Sequence, residues 1–540
     1  MTTGPVTAWN YADAYERVAA LIPDAPAQIQ GGQIQGGRAL TWTDFDRRAN
    51  ALAADLLAAG LGRQAKVAAY LTNGPEYLET YLAAFKAGLV PLNTNFRYGP
   101  DEIRYLLDNA DAEAVVFHAS FAPVLAAAGV GRIRRCYVVA DGAPVPDWAV
   151  PYEDVAGPGA ERVVAPWGRS PDDLLLLYTG GTTGIPKGVM WRQDDLFNVL
   201  GGGRNVVLGE PPATDLDDYA AGIGGPGPRL LPACPLMHGT GQFTALNALT
   251  WGGCVVTLPG AHFDAGALWE AVQDAHVNVV TIVGDAFARP MLEALDAEPG
   301  RWDLSSLMMV VSSGVMWSNE VKQGLLGHLP KVVLFDSLGS SEAVGLAASV
   351  SAASTATFVQ GPAARVIGDD GRFVAPGSGE IGQLAVSGFI PVGYYKDPDK
   401  TARTFRTVDG VRFSIPGDYA TVDADGTIHL LGRGSVVVNT AGEKVFPEEV
   451  EEVLKRHPDV HDAVVVGVAD ERFGELVCAV VEPSGGASVD AGTVIDFVRG
   501  QLAHYKAPRQ VVVVDTIGRS PSGKVDYRAL KALAAARLGR

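Results

Sequence analysis

Cysteine is scarce in this chain: 540 residues hold four, Cys136, Cys234, Cys254 and Cys478, and none is in paired spacing. That excludes a disulfide framework as the organising device. With no Cys-x-x-Cys and no neighbouring Cys/His cluster, it also excludes a structural zinc site. The four read as isolated thiols in a reducing compartment. Long apolar runs are missing too, since none approaches the roughly 20 residues of a membrane span. The opening Met1-Thr2-Thr3-Gly4 carries no basic stretch followed by an apolar one, so no signal peptide is visible. A cytoplasmic protein without integral membrane contact is expected. Positive charge is in deficit, 43 Lys and Arg against 61 Asp and Glu, a formal net charge of -18. Such a surface repels nucleic-acid backbones and anionic lipids, so neither is a bulk partner. A nucleotide would need a local positive pocket or a bound cation.

What the chain does have is core-forming material. Apolar residues make up 47% and charged residues 19%, the balance of a globular protein. At roughly 100–200 residues per domain, 540 residues call for several domains or one large lobed body. The first part alternates helix and strand signals. Thr43 and Asp46 resemble a capping box opening an amphipathic stretch to Gly60, followed by a strand from Lys66 to Leu71. A helix from Pro75 to Lys86 comes next, then a strand from Leu89 to Leu92, a helix near Pro100 to Asp108 and a strand from Ala114 to Phe117. This alternation predicts parallel sheets covered by helices. Gly209 to Pro228 and Ser349 to Thr357 read as loops on composition. From about Gly432 the style changes to short strands and two helices, Pro447 to Arg456 and Thr493 to Leu502, enough for a small separate α+β domain. The expected fold class is α/β, a large N-terminal domain of parallel-rich sheets covered by helices plus that small C-terminal domain.

The strongest local signal is Leu174 to Val189, LLLLYTGGTTGIPKGV. A buried strand, Leu174 to Tyr178, feeds a loop of small and hydroxylic residues and then Pro186-Lys187-Gly188. Glycines let backbone N–H groups approach oxyanions closely; Thr179, Thr182 and Thr183 add hydroxyl donors, and Lys187 adds a positive charge. The chemistry is that of a phosphate cradle. It is not the P-loop of NTPases, because Gly188 rather than Ser or Thr follows the lysine.

The segment Thr179, Gly180, Gly181, Thr182, Thr183, Gly184, Ile185, Pro186, Lys187, Gly188 resembles the signature loop of the adenylate-forming (AMP-binding) superfamily, which includes acyl-CoA synthetases, luciferases and peptide-synthetase adenylation domains. In the usual pattern a serine stands where Gly180 is here. Companion motifs follow in order across nearly the whole chain. Asp336 to Ala343, DSLGSSEA, is similar to the motif that sets an aromatic residue on adenine, a hydroxyl on phosphate and a glutamate on Mg²⁺. Here Leu338 stands in place of the aromatic residue, between the cofactor-binding candidates Ser337 and Gly339, and Ser341 and Glu342 keep the hydroxyl and the acid. Pro416-Gly417-Asp418 resembles the ribose-binding aspartate motif, with proline replacing threonine, and Arg433 matches the arginine used on ribose and phosphate. Ser435 stands where the family has a charged hinge residue. Thr440 to Pro447, with Gly442 and Lys444, matches the segment lining the thiol channel. Ser520-Pro521-Ser522-Gly523-Lys524 resembles the loop of the catalytic lysine. His238, in Pro235 to Gly241, borders the acyl pocket in such enzymes, and the small residues Gly239, Ser313, Gly314 and Gly339 surround it.

The resemblance implies a domain of residues 1–432, a hinge at 433–437 and a mobile C-terminal domain at 438–540. It implies a carboxylic acid, ATP, Mg²⁺ and coenzyme A as reactants and cofactors. The acid would attack the α-phosphorus of ATP, giving an acyl-adenylate that is then passed to CoA. Lys524, Glu342 and His238 are the catalytic candidates, with Glu342 as the metal ligand. The small pocket walls, Met190-Trp191-Arg192-Gln193 and the DSLGSSE variant point to a lipid-like acid, either a medium or long fatty acid or a steroid side-chain acid. Three alternatives stand beside this: a carrier-loading adenylating enzyme, a luciferase-type oxygenase and a catalytically degenerate nucleotide-binding relative. Monomer and homodimer both stay open.

Overall fold

The computed structural model describes residues 8–31, 37–129, 131–180, 186–204, 210–260, 262–314, 317–349, 357–361, 363–433, 436–440, 443–470, 474–485, 487–502, 504–520 and 525–540. Three sheets organise them. The first has eight strands and begins at one edge with Gly393–Tyr394, Pro186–Arg192 and Leu174–Gly180. It continues through Val90–Asn93, Lys66–Tyr70, Ala112–His118, Arg135–Val139 and Val150–Pro151. From Leu174–Gly180 onward every neighbouring pair is parallel.

The second sheet has fifteen strands and two characters. Pro26–Gln30, Cys254–Thr257, Arg229–Pro232, Val279–Ile282, Met309–Ser313 and Val333–Ser340 lie side by side in parallel. Beyond Val333–Ser340 the sheet turns antiparallel, through Ala343–Ser349, Thr357–Gln360, Thr427–Arg433 and Asp418–Val422. The expected parallel pairing is found in both sheets of the large domain, and an antiparallel run extends the second. Ser340 and Ala343 pair across a two-residue tip, a connection too short for a parallel crossover. The third sheet joins Glu443–Val445, Val438–Thr440, Gly474–Pro483, Val460–Asp470 and Gln510–Val513. With helices Pro447–Lys455, Ala491–Arg499 and Tyr527–Arg537 it forms a separate small body with its own apolar clusters. The expected α/β class is what the chain adopts.

Local corrections have clear causes. The capping box is Thr41 with Asp44, not Thr43 with Asp46. Thr41 Oγ1 accepts from the Asp44 N–H at 3.1 Å, and the Asp44 carboxylate accepts from the Thr41 N–H at 3.0 Å, so the helix starts at Trp42. Within the stretch read as a loop, residues 216–222 form a helix, because the Asp215 carboxylate caps the N–H groups of Asp217 and Asp218. Strand Leu174–Gly180 runs two residues further than expected, since its hairpin partner extends to Pro186. Of the second expected loop, Ser349 ends a strand, Thr357 begins one, and residues 350–356 lie outside the described residues.

The helix Pro75–Lys86 lies in the core of the large domain and is buried along its whole length. Its charges are neutralised in place. Lys86 Nζ is 2.7 Å from both Glu16 and Asp46, and Glu79 meets Arg48 at 2.8 Å. A buried charge survives only when paired and hydrogen-bonded, so these contacts fix how three helices meet.

Candidate active site

Two hairpins, one from each sheet of the large domain, meet through Trp191. In the first, buried Leu175, Leu176 and Leu177 anchor the outgoing strand, and the register sets Thr179 opposite Lys187 and Gly180 opposite Pro186. Gly188 is required there: a Cβ would come within 2.8 Å of the Tyr178 ring. Gly181, Thr182, Thr183 and Gly184 lie outside the described residues. The second hairpin carries Ser341 and Glu342 at its tip, between Val333–Ser340 and Ala343–Ser349. Buried Trp191 locks the two together, its Nε1–H donating to the Ser341 carbonyl at 3.0 Å. At the base of the second hairpin, Lys322 is 3.0 Å from buried Asp336. Burial pushes that carboxyl upward and Lys322 opposes the rise.

Glu342 is held on three sides. Its N–H donates to Ser340 Oγ at 3.3 Å, its carbonyl accepts from Ser414 Oγ at 2.6 Å, and its Oε1 accepts from the Tyr394 hydroxyl at 2.6 Å. Among the described residues no lysine or arginine pairs with the carboxylate. Nor do three His, Cys, Asp or Glu side chains converge as a metal cage. One carboxylate without a cationic partner, beside serine hydroxyls, is a donor set that fits Mg²⁺, which takes one or two carboxylates and completes its shell with phosphate and water oxygens.

Lys187 Nζ is 2.7 Å from Asp397 Oδ2, while Asp397 Oδ1 accepts from the Lys400 N–H at 2.9 Å. The Lys187 hydrogen bond, followed by that from Lys400, holds the Asp397 carboxyl below the usual carboxylate range.

The residues expected to border the acyl group are tied to the first hairpin. Buried Asn93 donates to the carbonyls of Tyr178 at 2.8 Å and Met237 at 2.6 Å, and its Oδ1 accepts from the Tyr178 N–H at 2.6 Å. One carboxamide thereby joins the residue before Thr179 to the residue before His238. His238 is half-buried and caps helix Gly239–Thr250, its carbonyl accepting from the Gln242 N–H. A Cβ on Gly239 would lie 3.1 Å from Leu177 Cδ2 and 3.7 Å from Ser341 Oγ; one on Gly314 would lie 3.6 Å from Thr240 Oγ1. Ser313 pairs with Ser337 across parallel strands. Gly239, Thr240, Ser313, Gly314, Ser337 and Ser341 thus share one neighbourhood. Gly339 has its own steric reason: a Cβ would meet the Ala343 carbonyl at 3.1 Å. Leu338 is half-buried against the main core.

Asp418 and Arg433 stand directly opposite each other in the antiparallel register of their strands. Asp418 is buried; the Arg433 side chain is outside the described set. Lys444 belongs to the hairpin of Val438–Thr440 and Glu443–Val445, paired with Asn439, and its side chain is also undescribed. Ser435, Gly442 and Lys524 lie outside the described residues. The sequence reading missed Asn93, Trp191, Tyr394 and Asp397 as site supports. For Asp397-Pro398 a helix-start signature was present, but nothing in the sequence linked it to Lys187.

Residues 15–395 match the AMP-binding enzyme family, and residues 449–524 match the AMP-binding enzyme C-terminal domain. The chain belongs to this family of adenylate-forming enzymes. It is 42% identical over 539 residues to a medium/long-chain-fatty-acid–CoA/3-oxocholest-4-en-26-oate–CoA ligase of Mycobacterium marinum, covering 97% of this chain and 96% of that one. A 3-oxocholest-4-en-26-oate–CoA ligase of Rhodococcus rhodochrous is 42% identical over 540 residues with the same coverage. The crystal structure of ATP-bound MatB from Rhodopseudomonas palustris superimposes with a TM-score of 0.79 at 28% identity, covering 97% of this chain and 99% of that chain. The chain is an AMP-forming acid–thiol ligase that uses ATP, Mg²⁺ and coenzyme A. Among the described residues no helix is long and apolar enough to cross a membrane.

Proposed function

We propose that this ligase activates a lipid-like carboxylic acid, a medium or long fatty acid or a steroid side-chain acid, through acyl-AMP to acyl-CoA in the cytoplasm. The observation that carries the substrate class is the 42% identity over nearly the full length to ligases named for those acids. The small residues Gly239, Ser313 and Gly314 around His238 support it, since small walls leave room for a bulky acyl group.

In the first half-reaction the substrate carboxylate attacks the α-phosphorus of ATP and expels pyrophosphate, a transfer catalysed mainly by positioning and charge stabilisation. Thr179 to Gly184 and Lys187 hold the β and γ phosphates. Leu338 packs on the adenine beside Ser337 and Gly339, Ser341 meets a phosphate oxygen, and Asp418 and Arg433 hold the ribose. Glu342 holds Mg²⁺, which when bound offsets the phosphate charge. Lys524 bridges carboxylate and phosphate oxygens. In the second half-reaction residues 438–540 turn about a hinge at 433–437, near Ser435, and withdraw Lys524. Gly442 and Lys444 then line the path of the CoA thiol to the acyl carbon. Alternation of this kind keeps water from the mixed anhydride.

The test is pyrophosphate release across short, medium, long, aryl and steroid side-chain acids, with amino acids as controls, each with and without CoA. CoA-stimulated turnover confined to lipid-like acids is expected. Turnover with amino acids, or CoA-independent release throughout, would move the assignment to a different acceptor. No ATP consumption with any acid would leave a degenerate nucleotide-binding relative.

A further inference from the structure

Glutamate has three side-chain torsions, and a carboxylate at a hairpin tip must be stopped from sampling them if it is to meet a cation in one orientation. In Glu342 the main chain is pinned by Ser340 and Ser414, and the carboxylate is met by the Tyr394 hydroxyl. We propose that Tyr394 is the positioning residue of Glu342, presetting its carboxylate for the divalent cation that accompanies the nucleotide. The proposal rests on the reading of Glu342 as the Mg²⁺ ligand.

Tyr394 is itself over-determined. It lies in the two-residue strand Gly393–Tyr394, paired with Val189 and Met190 just after the phosphate loop, and the Tyr395 N–H donates to the Gly188 carbonyl at 2.8 Å. On the other side the Tyr394 N–H donates to Thr401 Oγ1 at 2.9 Å, and the following turn is tied to the loop by Asp397 and Lys187. Gly393, at φ +155°, allows the close approach: a Cβ there would lie 2.5 Å from Thr401 Cγ2. The Tyr394 ring is buried beside Phe405, and the Lys400 ammonium sits 4.3 Å from its centre. A cation on the ring face draws electron density from the phenol and strengthens its O–H as a donor to the carboxylate. One carboxylate oxygen bound in this way still leaves lone pairs for a metal ion.

The experiment is calorimetric titration of the full chain with ATP at graded free Mg²⁺, without acid or CoA, for wild type, Tyr394→Phe and Glu342→Gln. Phenylalanine keeps the ring packing and removes only the hydroxyl. Losing one hydrogen bond to a charged group is expected to raise the Mg²⁺ needed for half-maximal enhancement of ATP affinity about tenfold. The curve should rejoin wild type at saturating Mg²⁺. Glu342→Gln should flatten the dependence. If Glu342→Gln flattens it but Tyr394→Phe overlays wild type, or is weaker by one constant factor at every Mg²⁺ level, the positioning role is overturned and the metal assignment stands. If Glu342→Gln keeps the full dependence, the metal assignment itself fails, and the positioning role with it.

Discussion

Asn93 offers the sharpest single test of how the site is built. Its side chain is 3% exposed and makes three short hydrogen bonds, two to the main chain of Tyr178 and one to that of Met237. Asn93→Leu keeps the approximate volume and removes all three. A typical hydrogen bond contributes about 1 kcal/mol net, and a buried group left without its partner costs about 1–3 kcal/mol, so a loss of about 3 kcal/mol is expected. Asn93→Asp should be worse. A carboxylate can still accept from the Tyr178 N–H, but it turns lone pairs toward the carbonyls of Tyr178 and Met237 in a buried place, where charge is disfavoured. Burial raises the pKa of such a carboxyl, so its protonated form, which can donate to one carbonyl, gains population as pH falls. Asn93→Asp should therefore approach Asn93→Leu in stability on acidification, whereas Asn93→Leu should keep a pH-independent deficit relative to wild type. Urea unfolding of the large domain reads the stability as a lower midpoint at unchanged slope. Acid-dependent ATP–pyrophosphate exchange reads the function. Because the carboxamide ties together the segments proposed to hold the phosphates and the acyl group, exchange should fall tenfold or more, with KM rising for both ATP and acid. An Asn93→Leu variant within 1 kcal/mol of wild type, or Asn93→Asp more stable than Asn93→Leu at neutral pH, would refute the argument.

Other expectations follow from single features. Lys524→Ala should cripple adenylate formation but spare thioester formation from supplied acyl-adenylate; equal losses in both assays would remove Lys524 from its role. Leu338→Tyr should lower KM for ATP about two- to tenfold, the worth of an added ring stack, and an unchanged KM would show that adenine does not lie against this residue. Glu16 supplies a pH signature for the fold. Burial alone would raise its pKa, but hydrogen bonds from Arg169 and the charge of Lys86 outweigh this and lower it to about 2 from an ordinary 4.5. Its stabilisation is therefore complete above about pH 4.5 and lost as pH falls toward 2. The stability gap between wild type and Glu16→Gln, on the order of 2 kcal/mol after allowance for partial exposure, should shrink through that window. A gap that stays constant from neutral pH to pH 3, measured by denaturant titration, would contradict the assignment.

The family was legible in order along the chain, because the motifs that resemble it are contiguous stretches of sequence. The strand before Thr179 was readable because an apolar run leads into a glycine-rich turn, and the structure sets Thr179 opposite Lys187 in that hairpin. Helix Pro75–Lys86 was readable because Pro75 marks its start and Gly88 follows its end. The starts of other helices were misplaced by two residues or missed, as at Thr41 and Asp215, since several polar residues compete to cap and only the packed helix selects one. The antiparallel half of the large sheet was not legible either: the two-residue tip at Ser341 and Glu342 read as a motif, not as a hairpin.

The sequence by itself determined the fold class, through the alternation of helix and strand signals, and the family, through the resemblance of contiguous motifs that run in order along the chain. Tertiary structure alone decided which groups support the site. Asn93 is 85 residues from Tyr178 and 144 from Met237, Tyr394 is 52 from Glu342, and Asp397 is 210 from Lys187. Contacts of that separation carry no local signature. The Asn93–Tyr178 contact exists because the eight-stranded sheet lays Val90–Asn93 beside Leu174–Gly180, and Gly393–Tyr394 beside Pro186–Arg192 brings Asp397 to Lys187; Met237 and Glu342 come from outside that sheet, so those two contacts form only when the second sheet and its helices pack against it.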